Sequence, residues 1–208
     1  MFVSKPSIVF VVDDDASFRR SSERLLRIAG YQVESFSSAQ EFLGQPQPES
    51  PACLVADLRM PGMNGLELQQ ELANAGWQIP IIFVTGHGDV PTSVRAMKAG
   101  AVEFLMKPFG EQDILAAVAE ALGRDRARLG RQANLAGLQQ RYRSLTPREC
   151  EVLGYVVAGR LNKQIAAILS VGEKTIKFHR AHVMQKMQAG SLPALVQMAV
   201  ALGLISRG

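Results

Sequence analysis

Between residues 8 and 122 short apolar runs and helical stretches alternate five times, and few folds accept that pattern. The first run, Ile8-Val9-Phe10-Val11-Val12, has no polar position at all. A strand with one wet face would alternate, so this one is expected to be buried on both faces. Further strands are predicted over 33–36, 53–56, 79–84 and 102–106. Helical spacing covers 16–29, 38–43, 66–75, 90–99 and 112–122, with Gly30 and Gly100 as stop signals. Strict alternation of this kind predicts an α/β domain: five parallel strands with helices packed on both faces. A flavodoxin-like strand order, 2-1-3-4-5, is the expected arrangement.

The polar residues at the strand ends carry the chemistry. Asp13, Asp14 and Asp15 follow the first strand, Asp57 follows the third, Thr85 the fourth, and Lys107 with Pro108 the fifth. Open parallel sheets bind ligands outside the carboxyl ends of their strands. The order 2-1-3-4-5 sets the first and third strands side by side, so the acids converge on one pocket. Carboxylates that close repel one another unless a proton or a cation relieves them. An all-oxygen site with few protein ligands suits Mg²⁺, which keeps several waters. An Asp carboxylate is also a competent nucleophile toward phosphorus, and a Lys can pair with a phosphoryl oxygen. One strand-end Asp is an ordinary solvated charge. Three acids, a Lys and a Thr at matching strand ends make a site.

The rest of the chain differs in charge. Residues 1–122 hold 9 basic and 15 acidic side chains, net −6, and residues 123–208 hold 14 and 4, net +10. An acidic half followed by a basic half predicts two domains, the second with the electrostatics of a nucleic-acid binder. At 208 residues and 47% apolar content the chain has material for two small cores. Residues 123–144 carry six arginines and one acid, with Leu115, Leu122 and Leu129 seven apart, which fits either a helical linker or a flexible tether. Helices follow. Thr146 caps the first, with Pro147 and Glu149 completing a capping box. Others cover 163–169 and 173–187, and the last begins near Ser191. On the 173–187 helix Ile176, Val183 and Met187 share the packed face, while Lys174, Phe178, Ala181 and Gln185 face outward. Cys53 and Cys150 read as reduced thiols of a reducing compartment. No signal peptide is expected from the opening residues, and the longest apolar stretch, 192–205, is too short to span a bilayer. A cytoplasmic protein without membrane partners is expected.

Several of these residues fall in recognisable motifs. Val11-Val12-Asp13-Asp14, the stretch from Asp57 to Gly65, Thr85-Gly86-His87-Gly88 and Phe104-Leu105-Met106-Lys107-Pro108-Phe109 together resemble the receiver domain of bacterial two-component response regulators, in particular the FixJ subfamily. Leu145-Thr146-Pro147-Arg148-Glu149, Asn162-Lys163-Gln164-Ile165-Ala166 and Lys174-Thr175-Ile176-Lys177-Phe178-His179 resemble the LuxR-type helix-turn-helix. The resemblance implies a receiver domain at 1–122, a linker at 123–143 and an all-α DNA-binding domain at 144–208. It implies that Asp57 accepts a phosphoryl group from a sensor histidine kinase. Asp13, Asp14, Asp57 and the backbone carbonyl of Arg59 would serve Mg²⁺, Thr85 and Lys107 would hold the phosphoryl oxygens, and Phe104 would be the switch aromatic. His87 reads as a solvated or gating loop residue rather than a base. Lys177, Phe178 and Ala181 would face bases of double-stranded DNA, with Lys163, Lys174 and Thr175 on phosphates. Phosphorylation would favour a homodimer, and RNA polymerase is a further expected partner. The receiver would catalyse only its own phosphotransfer and dephosphorylation. Leu161, Gln164 and Gly172 depart from the usual Ser, Glu and Ser of that motif. Two rival readings use the same residues: a phosphorylation-independent transcription factor, and an aspartate-based phosphatase.

Overall fold

The structure is a computed structural model, and it describes residues 6–86 and 90–205. The chain divides into two compact units after Leu129.

The first unit is built on five parallel strands: β1 (Ile8–Val12), β2 (Gln32–Phe36), β3 (Ala52–Asp57), β4 (Ile81–Thr85) and β5 (Glu103–Met106), in the order β2-β1-β3-β4-β5. The expected α/β class and strand order are both observed. Side chains of a strand point alternately to opposite faces, and the apolar runs divide accordingly. Phe10, Val12, Leu54 and Phe83 pack on one face with Phe42 of α2 (Ala39–Leu43), Leu68 and Leu72 of α3 (Gly65–Asn74) and Ala96 of α4 (Val90–Lys98). Val9, Val11, Cys53, Val55, Ile82 and Val84 pack on the other with Leu26 of α1 (Ala16–Ile28) and with Ile114, Val118 and Leu122 of α5 (Glu111–Arg143). Cys53 thus lies in the middle of the sheet with no exposed surface, and burial, reinforced by Asp125, pushes its thiol far above the ordinary range.

Local chemistry sets the helix starts. Asp15 accepts from the N–H groups of Ser17 and Phe18 and so caps α1, which gives the third acid of the Asp run a structural role. Asn64 and Glu67 form a full capping box on α3. Gly30, at φ +91°, lets the chain turn off α1 into β2.

The stretch 123–143 belongs to α5, a single helix of 33 residues. It contains no proline and is dominated by Arg, Ala, Leu and Gln, all good helix formers. Asp125 anchors its middle: this buried carboxylate accepts from the backbone N–H of Ala52 at 3.0 Å and pairs with Arg128 at 2.7 Å.

The second unit gathers the end of α5 and four short helices: α6 (Pro147–Val157), α7 (Asn162–Ile168), α8 (Glu173–Met187) and α9 (Leu192–Ala201). Val152, Leu153, Val156, Ile165, Ile176, Val183, Met187 and Leu195 form its core. Thr146 and Glu149 make the capping box of α6 that the sequence predicts. At α7 the side chain of Leu161 cannot cap, but Gln164 Oε1 accepts the Leu161 N–H at 2.9 Å, so half of a capping box survives.

Candidate functional site

The β1–β3 pairing sets Val12 opposite Ala56, so the residues that follow, Asp13 and Asp57, emerge side by side. Carboxylate oxygens of Asp13, Asp14 and Asp57 lie within 4.8 Å of one another. Lys107 reaches them across 94 residues of chain: its Nζ is 2.6 Å from Asp13 Oδ2 and 3.1 Å from Asp57 Oδ2. The Lys107 backbone N–H donates to the Thr85 carbonyl at 2.8 Å, which brings the end of β4 to the same place. Thr85 itself is buried. Four strand ends therefore deliver the predicted Asp13, Asp14, Asp57, Thr85 and Lys107 to one pocket.

Burial raises the pKa of Asp13, and the Lys107 ammonium offsets this only in part. Burial acts downward on Lys107, yet hydrogen bonds and attraction from Asp13 and Asp57 outweigh it and its pKa is raised. Among the described residues the cluster sets three carboxylates beside the Lys107 ammonium, and every donor it offers a metal is a hard oxygen. That donor set fits Mg²⁺.

The loop after β3 holds Asp57 in place. The Arg59 N–H donates to Asp57 Oδ1 at 3.0 Å, so the backbone of the exposed Arg59 lies at the pocket. Gly65 N–H donates to the Leu58 carbonyl. A Cβ on Gly65 would stand 2.6 Å from the Asp57 carbonyl oxygen and 2.9 Å from Phe83, so only glycine lets α3 start this close to Asp57. Phe104, opposite Phe83 on β5, is half-buried against the α2–α3 core. His87 lies outside the described residues.

Sequence reasoning missed Phe18. Lys107 Nζ sits 3.8 Å from the centroid of its ring. Phe18 reads in the sequence as an apolar position of an amphipathic helix, and no spacing rule links it to Lys107.

In the second unit, Lys163 on α7 and Lys174, Thr175, Lys177, Phe178 and Ala181 on α8 are all exposed, which for Lys174, Phe178 and Ala181 the helical spacing predicts. Phe178 is 58% exposed and packs against His182 with the rings tilted by 55° and their centroids 4.1 Å apart. Lys177 pairs with Glu173 at 3.1 Å, a contact open to water on both sides. Arg180 turns back to Asn162 Oδ1 at 3.1 Å. Gly172 caps α8 without a side-chain bond. Behind this face lies a network that sequence reasoning did not find. Glu149 is buried, with Oε2 2.6 Å from Lys186 Nζ and Oε1 3.5 Å from His182 Nδ1. Its burial acts upward, but the Lys186 ammonium and the Thr146 donors outweigh it and hold its pKa at about 2.

Comparison with known proteins gives the same division. Residues 9–119 match the response regulator receiver domain, and residues 143–199 match the luxR family of bacterial regulatory proteins. Nodulation protein W of Bradyrhizobium diazoefficiens is 50% identical over 97% of this chain and 88% of its own length. The transcriptional regulatory protein FixJ of Azorhizobium caulinodans is 45% identical over 94% of this chain and 92% of its own. Among solved structures, the response regulator StyR shares 48% identity, with a TM-score of 0.85 over 93% of this chain and 98% of that one. No described helix is long and apolar enough to cross a membrane.

Proposed function

The chain belongs to the bacterial response regulators that join a receiver domain to a LuxR-type DNA-binding domain, and from that premise we propose that Asp57 is its phosphoacceptor and α8 its DNA-reading helix. One observation carries the first part: a single ammonium, that of Lys107, bridges Asp13 and Asp57 at the strand ends. A cation held there is placed to meet a phosphoryl oxygen on Asp57. In the transfer, an Asp57 oxygen forms a bond to phosphorus as the bond to the histidine nitrogen of a kinase breaks. Thr85 donates to the transferred group. Asp13, Asp14, Asp57 and the Arg59 carbonyl would hold Mg²⁺, which when bound neutralises charge on the phosphoryl oxygens. The only chemistry the receiver performs is this transfer and the later hydrolysis. Phe104 follows Thr85 inward, and that movement biases the receiver toward a dimer.

The domains run 1–122 and 144–208, with 123–143 as the helical linker. Dimerisation sets two copies of α8 on a two-part site in double-stranded DNA. Lys177, Phe178 and Ala181 face base edges, and Lys163, Lys174 and Thr175 meet phosphates. RNA polymerase is the partner through which the bound dimer acts on transcription.

The test uses the full chain, Mg²⁺ and a small phosphodonor. Wild type should take up one phosphoryl group and bind its DNA more tightly, and Asp57→Asn should do neither. Labelling that survives Asp57→Asn moves the acceptor elsewhere, and DNA affinity indifferent to labelling removes the receiver from control.

A further inference from the structure

We propose that Phe18 is the positioning residue of Lys107, and that its ring sets how strongly the ammonium competes with Mg²⁺ for Asp13 and Asp57. The proposal rests on the phosphoacceptor reading above. Lys107 carries its charge on a long stem with many rotamers, so something must confine it. The two carboxylates confine it from one side. The Phe18 ring supplies the other, with the ammonium 3.8 Å from its centroid, well inside the roughly 6 Å reach of a cation–π contact. Only 22% of the Lys107 side chain is exposed, so water competes poorly for that ammonium.

The ring is itself held. Phe109, two residues beyond Lys107, meets it edge-on with centroids 6.1 Å apart. Beyond them lies an open groove of about 510 Å³, lined also by Leu25, Pro108 and Ile114. Phe18 is half-buried at this groove, with its ring packed against the core and facing the Lys107 ammonium.

Two effects of opposite sign follow. Lys107 and Mg²⁺ seek the same carboxylate oxygens. Removing the ring frees the ammonium to leave, and the carboxylates become more available to the metal. A phosphoryl group arriving at Asp57, however, loses a cation already in place. General damage to the pocket would weaken both.

The experiment compares full-length wild type with Phe18→Leu, Phe18→Met and Phe18→Tyr. Mg²⁺ affinity is measured by calorimetry without phosphodonor, and labelling by phosphoramidate is measured at saturating Mg²⁺. Phe18→Leu and Phe18→Met should bind Mg²⁺ about two- to fivefold more tightly and be labelled slower by a similar factor. Phe18→Tyr, which keeps the ring, should restore both. In a Lys107→Met background Phe18→Leu should change neither. Mg²⁺ affinity and labelling that fall together, or the same changes without Lys107, overturn the proposal. If Phe18→Leu unfolds, Phe18→Met decides. Wild-type labelling that survives Asp57→Asn would sink the acceptor assignment alone, because the Mg²⁺ measurement needs no phosphodonor.

Discussion

Replacing Glu149 by Gln should weaken the DNA-binding unit by about 1–2 kcal/mol at neutral pH. The Glu149 side chain is 4% exposed and holds Lys186 at 2.6 Å while accepting the Thr146 N–H at 2.8 Å. Gln keeps an acceptor for Thr146, loses the charge, and exchanges the second carboxylate oxygen for an N–H donor. Folding lowers the glutamate pKa from 4.5 to about 2. At 1.36 kcal/mol per unit this corresponds to about 3 kcal/mol, fully present above pH 4.5 and lost as pH falls through 2. The partners are wetter, at 35% exposure for Lys186 and 40% for His182. Solvent screening on that side reduces the figure to about 1–2 kcal/mol. His182 adds attraction only when protonated. The measurement is urea unfolding of the full chain, followed at amide resonances of α6 and α8, at pH 7 and pH 3. Glu149→Gln should unfold earlier at pH 7, and most of the gap should close at pH 3 because wild type loses more than half of its advantage there. An unchanged midpoint at pH 7, or a gap of equal size at both pH values, would refute the reasoning.

Gly65→Ala should cost about 3 kcal/mol, at the upper end of overpacking, because the new Cβ meets the Asp57 carbonyl and a buried ring. Trp77, the single tryptophan, stacks edge-on to Phe42 and reports that loss as an earlier urea transition in its fluorescence. Asp13→Ala with Asp14→Ala should abolish Mg²⁺ binding while the receiver stays folded. Calorimetry checks the first point, and Trp77 fluorescence the second. Lys174→Ala should weaken binding to specific and random duplexes alike and lower the salt slope by about one. Lys177→Ala should cost about 1–3 kcal/mol at the preferred site and much less on random DNA, with the low end expected because Glu173 already occupies this ammonium.

The sequence displays the receiver sheet well because buried parallel strands need continuous apolar runs, and ligands gather at their carboxyl ends whatever the side chains between. Asp13, Asp57 and Lys107 were legible for that reason. The outward face of α8 was legible because Ile176, Val183 and Met187 share one helical face. What stayed hidden depends on pairs that local rules do not connect. Phe18 and Lys107 meet only after the sheet has formed. Asp125 looks like a lone acid among arginines until Ala52 presents its N–H. The length of α5 is a matter of degree, since its glycines at 123, 130 and 137 each cost a helix about 1 kcal/mol and the sequence does not say what offsets them. Glu149 was visible as a cap but not as the partner of Lys186, whose approach requires α6 to lie against α8.

Cys53 turns the receiver into its own stopwatch. No alkylating reagent can reach a thiol enclosed between β1, β4 and the helices of one sheet face, and burial keeps that thiol in its unreactive protonated form. Modification at Cys53 must wait for the sheet to open. When reclosing outruns alkylation, the labelling rate divided by that of an unfolded peptide gives the population of opened molecules. Peptide mapping separates this signal from Cys150, which is only half-buried and lies in the other unit. The number it yields is the stability of the receiver sheet inside the intact regulator. It can be read before and after treatment with a phosphodonor, without tagging or dividing the chain.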